Sequence, residues 1–263
     1  MNVLVPAEQE RPTPAPAGFS EEVRQASTDQ QAAKLILLGF EVQGVPWESA
    51  ARALLGPALA GIQPGKIWDR VVLFTGHRVD SASRKTPRFP AAMEGVARDA
   101  IRHALQDEQG KSVKDSVLGV AGGANGGDLL FLEICDDLGI PTEMLLTLPE
   151  EQFIKESVAC ADKTWVERFY KQVQKHDQLP VLATSTELPG WLEVKKGYDI
   201  WQRNNFWLLS AALSHRAKFL TVIALWDGET GDAPGGTEHM VGMAKDRGAT
   251  IIHLDTKKIF QLD

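Results

Sequence analysis

The sequence predicts an α/β protein with a Rossmann-like, doubly wound, mostly parallel sheet and an N-terminal helical extension. Three observations predict it. Short continuous apolar runs, such as Val71-Val72-Leu73-Phe74 and Phe219–Trp226, read as strands buried on both faces of a parallel sheet. These runs alternate about five times with amphipathic helical stretches. Glycine-rich segments stand where a strand hands over to a helix, notably Gly122–Asp128 and Gly235-Gly236-Thr237.

Residues 1–27 are rich in Pro, Glu, Gln and Ser, and residues 1–18, with Pro12, Pro14 and Pro16 in quick succession, read as disordered or loosely attached. Residues 19–66 read as a helical extension or cap, with helices near Glu21–Leu38, Trp47–Leu55 and Pro57–Ile62. The Rossmann-like domain is expected over 67–263. Its first strand, Val71–Phe74, leads into Thr75-Gly76-His77-Arg78 and a polar loop. A helix over Pro90–Gln106 follows, with Met93, Val96, Ala97, Ala100, Ile101, Ala104 and Leu105 on one side; proline suits its first turn. Strand Val117–Val120, the glycine loop and helix Asp128–Leu138 come next. Gly139 and Pro141 stop that helix. Strand Glu143–Leu146, helices Glu150–Val158 and Lys163–His176, and a short strand at Leu179–Ala183 complete the middle. A polar stretch, Glu187–Lys196, is broken by Pro189-Gly190. Helix Tyr198–Leu213, strand Phe219–Trp226, helix Thr237–Arg247 and strand Thr250–Leu254 close the chain.

Composition narrows the function classes. With 43% hydrophobic and 24% charged residues the chain reads as an ordinary soluble globular protein. No apolar run reaches the roughly 20 residues of a membrane span, and Met1–Glu10 lacks the pattern of a signal peptide. The two cysteines, Cys135 and Cys160, form no CxxC pair and suit a cytoplasmic protein. A formal net charge of −7 argues against nucleic acid as the main partner. No run of Cys, His, Asp and Glu has metal-ligand spacing, and the GxSxG, GxxxxGK[ST] and GxGxxG signatures are missing. No metal and no cofactor are expected.

Ligands of a doubly wound sheet bind beyond the carboxyl ends of its strands. The residues expected there are Gly76, His77 and Arg78; Gly122, Gly123, Asn125, Gly126, Gly127 and Asp128; and Asp227, Gly235, Gly236 and Thr237. Two glycine-rich helix starts on one edge would make a two-walled anion site, because unpaired N–H groups and the helix dipole favour a phosphate. Arg78 suits a phosphate and equally a surface position. His77 suits a ligand contact or a structural hydrogen bond. Asp128 would repel a phosphate, so a ribose hydroxyl or a bound cation is its better partner; as a helix-start residue it equally needs no ligand. Asn204 and Asn205 sit on an apolar helix stripe, where amides need partners from a ligand or a neighbouring loop. Trp191, Trp201, Trp207 and Trp226 suit base stacking or the core. Glu238 suits an acid–base role or a solvated first turn.

Taken together, Phe74–Arg78, the Gly122–Asp128 loop and Trp226-Asp227-Gly228 with Pro234-Gly235-Gly236-Thr237 resemble the SLOG superfamily. That Rossmann-like group contains DNA-processing protein A and the LOG-type phosphoribohydrolases. The resemblance covers Arg70–Leu254. It implies a domain that senses a nucleotide or nucleotide-derived second messenger in bacterial signalling or defence. Its implied alternative is an enzyme that cleaves or transfers at the N-glycosidic bond of a nucleotide. One departure bears on that choice. LOG-type enzymes carry PGGxGTxxE, whereas this chain runs Pro234-Gly235-Gly236-Thr237-Glu238-His239, and the position of the family's catalytic glutamate falls on Met240. The catalytic candidates are therefore Glu238 and Asp128. Self-association, or the N-terminal helices, would carry the signal onward.

Overall fold

The structure is a computed structural model. It describes residues 68–262 apart from 114–115, 178, 189, 194, 216 and 232–233. The expectations for residues 1–18 and 19–66 lie outside the described residues.

Strands β1 (Arg70–Gly76), β2 (Val117–Ala121), β3 (Thr142–Met144), β4 (Phe219–Trp226) and β5 (Thr250–Asp255) form one sheet in the order β3-β2-β1-β4-β5. Every pairing in it is parallel. The helices are α1 (Glu94–Gly110, preceded by a 3-10 turn at Ala91–Met93), α2 (Gly127–Asp137), α3 (Glu150–Phe153), α4 (Lys163–Val173), α5 (Gly190–Glu193), α6 (Ile200–Ser214), α7 (Thr237–Asp246) and α8 (Thr256–Phe260). The chain builds β1, β2 and β3 outward on one side, then crosses to the other side of β1 for β4 and β5. The direction of winding reverses between β1 and β4, and a crevice opens at their carboxyl ends.

The period-two alternation of β1 divides two cores. Val72 and Phe74 face α1, α2 and α4, where Phe74 stacks on Phe131 at 5.1 Å. Val71 and Leu73 face Trp207 and Leu208 of α6 and Met240 of α7. No helix among the described residues is long and apolar enough to cross a membrane.

Three local expectations differ. Leu179–Ala183 makes one isolated bridge, Leu146 to Val181, rather than a strand. Pro180 has no N–H to donate; it contributes only its carbonyl, to Leu146 N at 2.9 Å. The third strand ends at Met144 because Leu146 has turned to that segment. The helix expected over Glu150–Val158 changes at Ile154 into a π turn running to Val158, closed by Ala159 N to Ile154 O at 2.8 Å. Helix α8 was not expected, although Asp255 caps it by accepting from Lys257 N at 3.1 Å.

At the amino ends of the strands a buried polar cluster joins β1, β4 and α1. Glu108 Oε2 accepts from Arg70 Nη1 at 2.9 Å and from Thr221 Oγ1 at 2.6 Å, and Lys111 Nζ reaches Oε1 at 2.8 Å. Burial alone would raise the Glu108 pKa. The hydrogen bonds from Lys111 and Thr221 and the charge of Arg70 outweigh it and hold the carboxyl below its ordinary value. Glu108→Ala would strand the Arg70 charge in the interior. It is expected to cost about 3 kcal/mol of stability, read as a lower urea midpoint at unchanged slope; an unchanged midpoint would show the cluster to be idle.

Candidate functional site

The crevice between β1 and β4 is an open cleft of about 390 Å³. The end of β1 contributes Gly76, His77 and Arg78, and the end of β4 contributes Trp226. Gly122, Ala124 and Asp128 form one wall, and Gly235, Gly236 and Thr237 form another. Trp201, Asn204 and Asn205 of α6 close the side. Five segments of the chain thus meet where the winding reverses.

The first glycine loop is held by its own protein. Asn125 is wholly buried and does not line the cleft. Its Oδ1 accepts from Val79 N at 3.0 Å, and its Nδ2 donates to Val158 O at 3.0 Å and approaches Cys160 Sγ at 2.9 Å. The Asn125 amide donates to Ser157 O at 2.9 Å. The π turn makes this dock, because its altered register leaves the carbonyls of Ser157 and Val158 for Asn125 and that of Glu156 for Arg78 Nη1, at 2.7 Å. Gly127 donates its amide to His77 O at 3.1 Å. Gly126 has φ +81°, and a Cβ there would lie 2.7 Å from Val79 N, so glycine is required twice over. Gly123 backs onto Met144 and Phe169. The expectation that Gly123, Asn125, Gly126 and Gly127 face a ligand is therefore corrected: they line the joint between loop and sheet.

The carboxyl of Asp128 turns back over the same loop. Its Oδ2 accepts from Ala124 N at 3.3 Å and stands 2.7 Å from where a Cβ of Gly122 would be. A carboxyl thus occupies the place where an anion cradle was expected. Burial pushes the Asp128 pKa up to about 7, against the lowering effect of the Ala124 amide and the Arg78 charge.

The second glycine loop is built differently. Gly235 has φ +80°, and a Cβ on it would lie 2.5 Å from Gln202 N, so the loop rides directly on the start of α6. That start is fixed by a capping box between Asp199 and Gln202. Asn205 Nδ2 donates to Gly235 O at 2.8 Å and Gly236 O at 3.2 Å, and lies 3.2 Å from His239 Nδ1. Asn205 lines the cleft but holds the loop; Asn204 lines it with Oδ1 buried and unpartnered. Thr237, the first residue of α7, is buried and lines the cleft.

Asp227 lies behind the cleft rather than on it. Its carboxylate is 3.2 Å from Arg88 Nε and 3.2 Å from His77 Nε2, which is also 3.2 Å from the Asp227 amide. Burial pushes the His77 pKa down, helped by Arg88 and Arg84 and opposed by Asp227. Glu238 is exposed and outside the cleft, and Met240 is wholly buried in the core. Arg88, Thr147, Phe153, Glu156 and Ser157 line the cleft without having been expected. They come from loops, the end of α3 and a π turn, which carry little periodicity to betray them. Among the described residues no group of His, Cys, Asp and Glu is arranged to hold a metal ion.

No family model matches the chain, and no curated protein matches it. Solved structures similar to it include DNA processing protein A (DprA) from Streptococcus pneumoniae, with TM-score 0.32 and 10% identity over 74% of this chain and 62% of that one. Another is SuiB from Streptococcus suis bound to S-adenosylmethionine, with TM-score 0.24 and 12% identity over 79% of this chain and 51% of that one. The chain spans less than two thirds of either, and likenesses this remote carry no argument about activity.

Two outcomes test the site's construction. Asn125→Ala would leave the Val79 amide and Val158 carbonyl buried without partners and is expected to cost about 2–4 kcal/mol, measured by chemical denaturation; a neutral substitution would free Asn125 for another role. For Asp128 the fold favours the acid form, so the folded protein holds the extra proton between pH 3.8 and about 7 and loses stability as pH rises through that window. Asp128→Asn is expected to stabilise the protein at pH 8 by roughly 1–3 kcal/mol, discounted for the partial exposure of the side chain, and to change little at pH 4. Equal melting-temperature gains at both pH values would refute the desolvated carboxyl.

Proposed function

We propose that this chain binds a nucleotide or nucleotide-derived signalling molecule in the cleft at the carboxyl edge of the sheet, and acts as a sensor domain of bacterial signalling or defence. One observation carries the reading: the cleft lies where the winding reverses between β1 and β4, the position at which doubly wound sheets bind ligands. Its volume of about 390 Å³ suits a mononucleotide-sized molecule. Trp201 and Trp226 offer flat apolar faces for a base. The Gly235–Thr237 helix start, with Arg78 across the cleft, offers a place for phosphate. Sequence features outside this geometry, the SLOG-like motifs, support the signalling role. Residues 19–66 or self-association would pass the bound state onward.

The alternative is cleavage or transfer at an N-glycosidic bond. What favours it is Asp128: a cleft carboxyl with a pKa near 7 is suited to acid–base work. It would act alone, since Glu238 lies outside the cleft.

Calorimetric titration with nucleoside mono-, di- and triphosphates, cyclic nucleotides and nicotinamide dinucleotides is expected to give saturable binding by at least one of them. Its affinity should fall at least tenfold in Gly235→Ala, which would push the loop off α6. Folded protein that binds none would overturn the reading. Release of free base from a nucleoside monophosphate, abolished in Asp128→Asn, would favour the enzyme instead.

A further inference from the structure

We infer that the cleft is polar in a defined sense: the wall formed by Asp128, with Asn204 as a second acceptor, receives the ribose diol of the nucleotide, so the site selects ribonucleotides over deoxyribonucleotides. This rests on the nucleotide reading above and assigns the sugar's place within it.

The argument begins with the donors of the first glycine loop. The amide of Asn125 goes to Ser157 O, that of Gly127 to His77 O, and that of Ala124 to Asp128 Oδ2. These N–H groups have internal acceptors, so the loop that looks like a phosphate cradle has few amides left for an anion. In their place the wall presents a carboxyl. A carboxylate is an acceptor with about four lone-pair sites, and the Ala124 amide at 3.3 Å is the one hydrogen bond the structure shows it accepting. Acceptor capacity therefore remains toward the cleft that Asp128 lines.

Across the cleft, Asn204 makes the same demand independently. Its Oδ1 is buried from water and accepts no hydrogen bond, although Asn205 beside it is fully engaged with the Gly235–Gly236 loop. A buried oxygen without a donor costs about 1–3 kcal/mol until something supplies one. A ligand that lines up against Asn204 and Asp128 must bring O–H or N–H groups. Above about pH 7, where Asp128 is ionised, it repels an anionic end. A cationic amine would suit the carboxyl alone but meets Arg78 and Arg88 on the same cleft. Neutral hydroxyl pairs satisfy all three conditions, and a carboxylate accepts both hydroxyls of a vicinal diol through charge-assisted bonds.

The test uses the full chain and calorimetric titration with the four ribonucleoside 5′-monophosphates, their 2′-deoxy counterparts and 3′-deoxy-AMP. In the wild type, removal of either hydroxyl is expected to weaken binding by about 10- to 100-fold. In Asp128→Asn, whose amide can accept only weakly and through one oxygen, that ratio should shrink to about threefold or less. Asn204→Ala should weaken the ribo forms by roughly 5-fold or more and the deoxy form that lacks the hydroxyl Asn204 receives by much less, so that the ratio shrinks here too. Ribo and deoxy forms that bind the wild type within about threefold of each other would overturn the inference while leaving nucleotide binding intact. So would discrimination that survives undiminished in Asp128→Asn. Absence of binding by every monophosphate that also extends to the wider panel overturns both readings together. The wild-type comparison needs no variant, so a misfolded substitution cannot decide the outcome.

Discussion

The site depends on one joint: Asn125 pinning the glycine loop to the end of β1 and to the π turn. A single amide side chain reaches Val79 on one side and Val158 on the other, while the neighbouring Gly127 donates to His77 O. The joint brings three chain segments within hydrogen-bond distance of one another in a wholly buried place. A buried amide is stable only when its donors and acceptor are all used, so the geometry admits little adjustment. Without it, the loop would have no fixed relation to Arg78, and the wall that Asp128 presents would have no fixed position.

That joint explains why the two glycine-rich helix starts, so alike in sequence, differ in chemistry. The first is clamped from inside, and its carboxylate closes back over its own loop. The second is carried on the start of α6 by the contact of Gly235 with Gln202 N, and Asn205 takes up the carbonyls of Gly235 and Gly236 rather than their amides. Asn205 thereby orients the loop with its carbonyls toward α6. The result is a cleft lined by the Asp128 carboxyl on one wall and by the Gly235–Thr237 helix start on the other, with Trp201 and Trp226 among its lining. His77 and Arg88 on the cleft are tied to Asp227 behind it.

Much of the fold was legible because periodicity reports burial. The apolar run of β1 meant two covered faces, and the stripe at Ala97, Ile101, Ala104 and Leu105 is the buried side of α1. Boundaries slipped where hydrogen bonding overruled composition. Pro180 limited a would-be strand to one bridge, and the helix from Glu150 widened into a π turn without any marker in its sequence. In the site, Gly76, His77, Arg78, Gly122, Asp128, Asn204, Asn205, Gly235, Gly236 and Thr237 were expected and do line the cleft. Arg88 and Glu156 were missed, because their positions follow from loop paths rather than from spacing.

By itself the sequence determined the α/β class, the edge of the sheet that matters and the segments that gather there, since hydrophobic period and glycine placement are local properties of the chain. Only the tertiary structure decided which residues face the cleft and which hold its wall in place. Asn125 and Asp128 stand three positions apart in one motif, yet one is sealed in a joint and the other lines the cleft. The difference arises from partners more than 30 residues away in either direction, the Val79 amide and the Val158 carbonyl among them. No local pattern encodes which donor will find which acceptor once the sheet has closed.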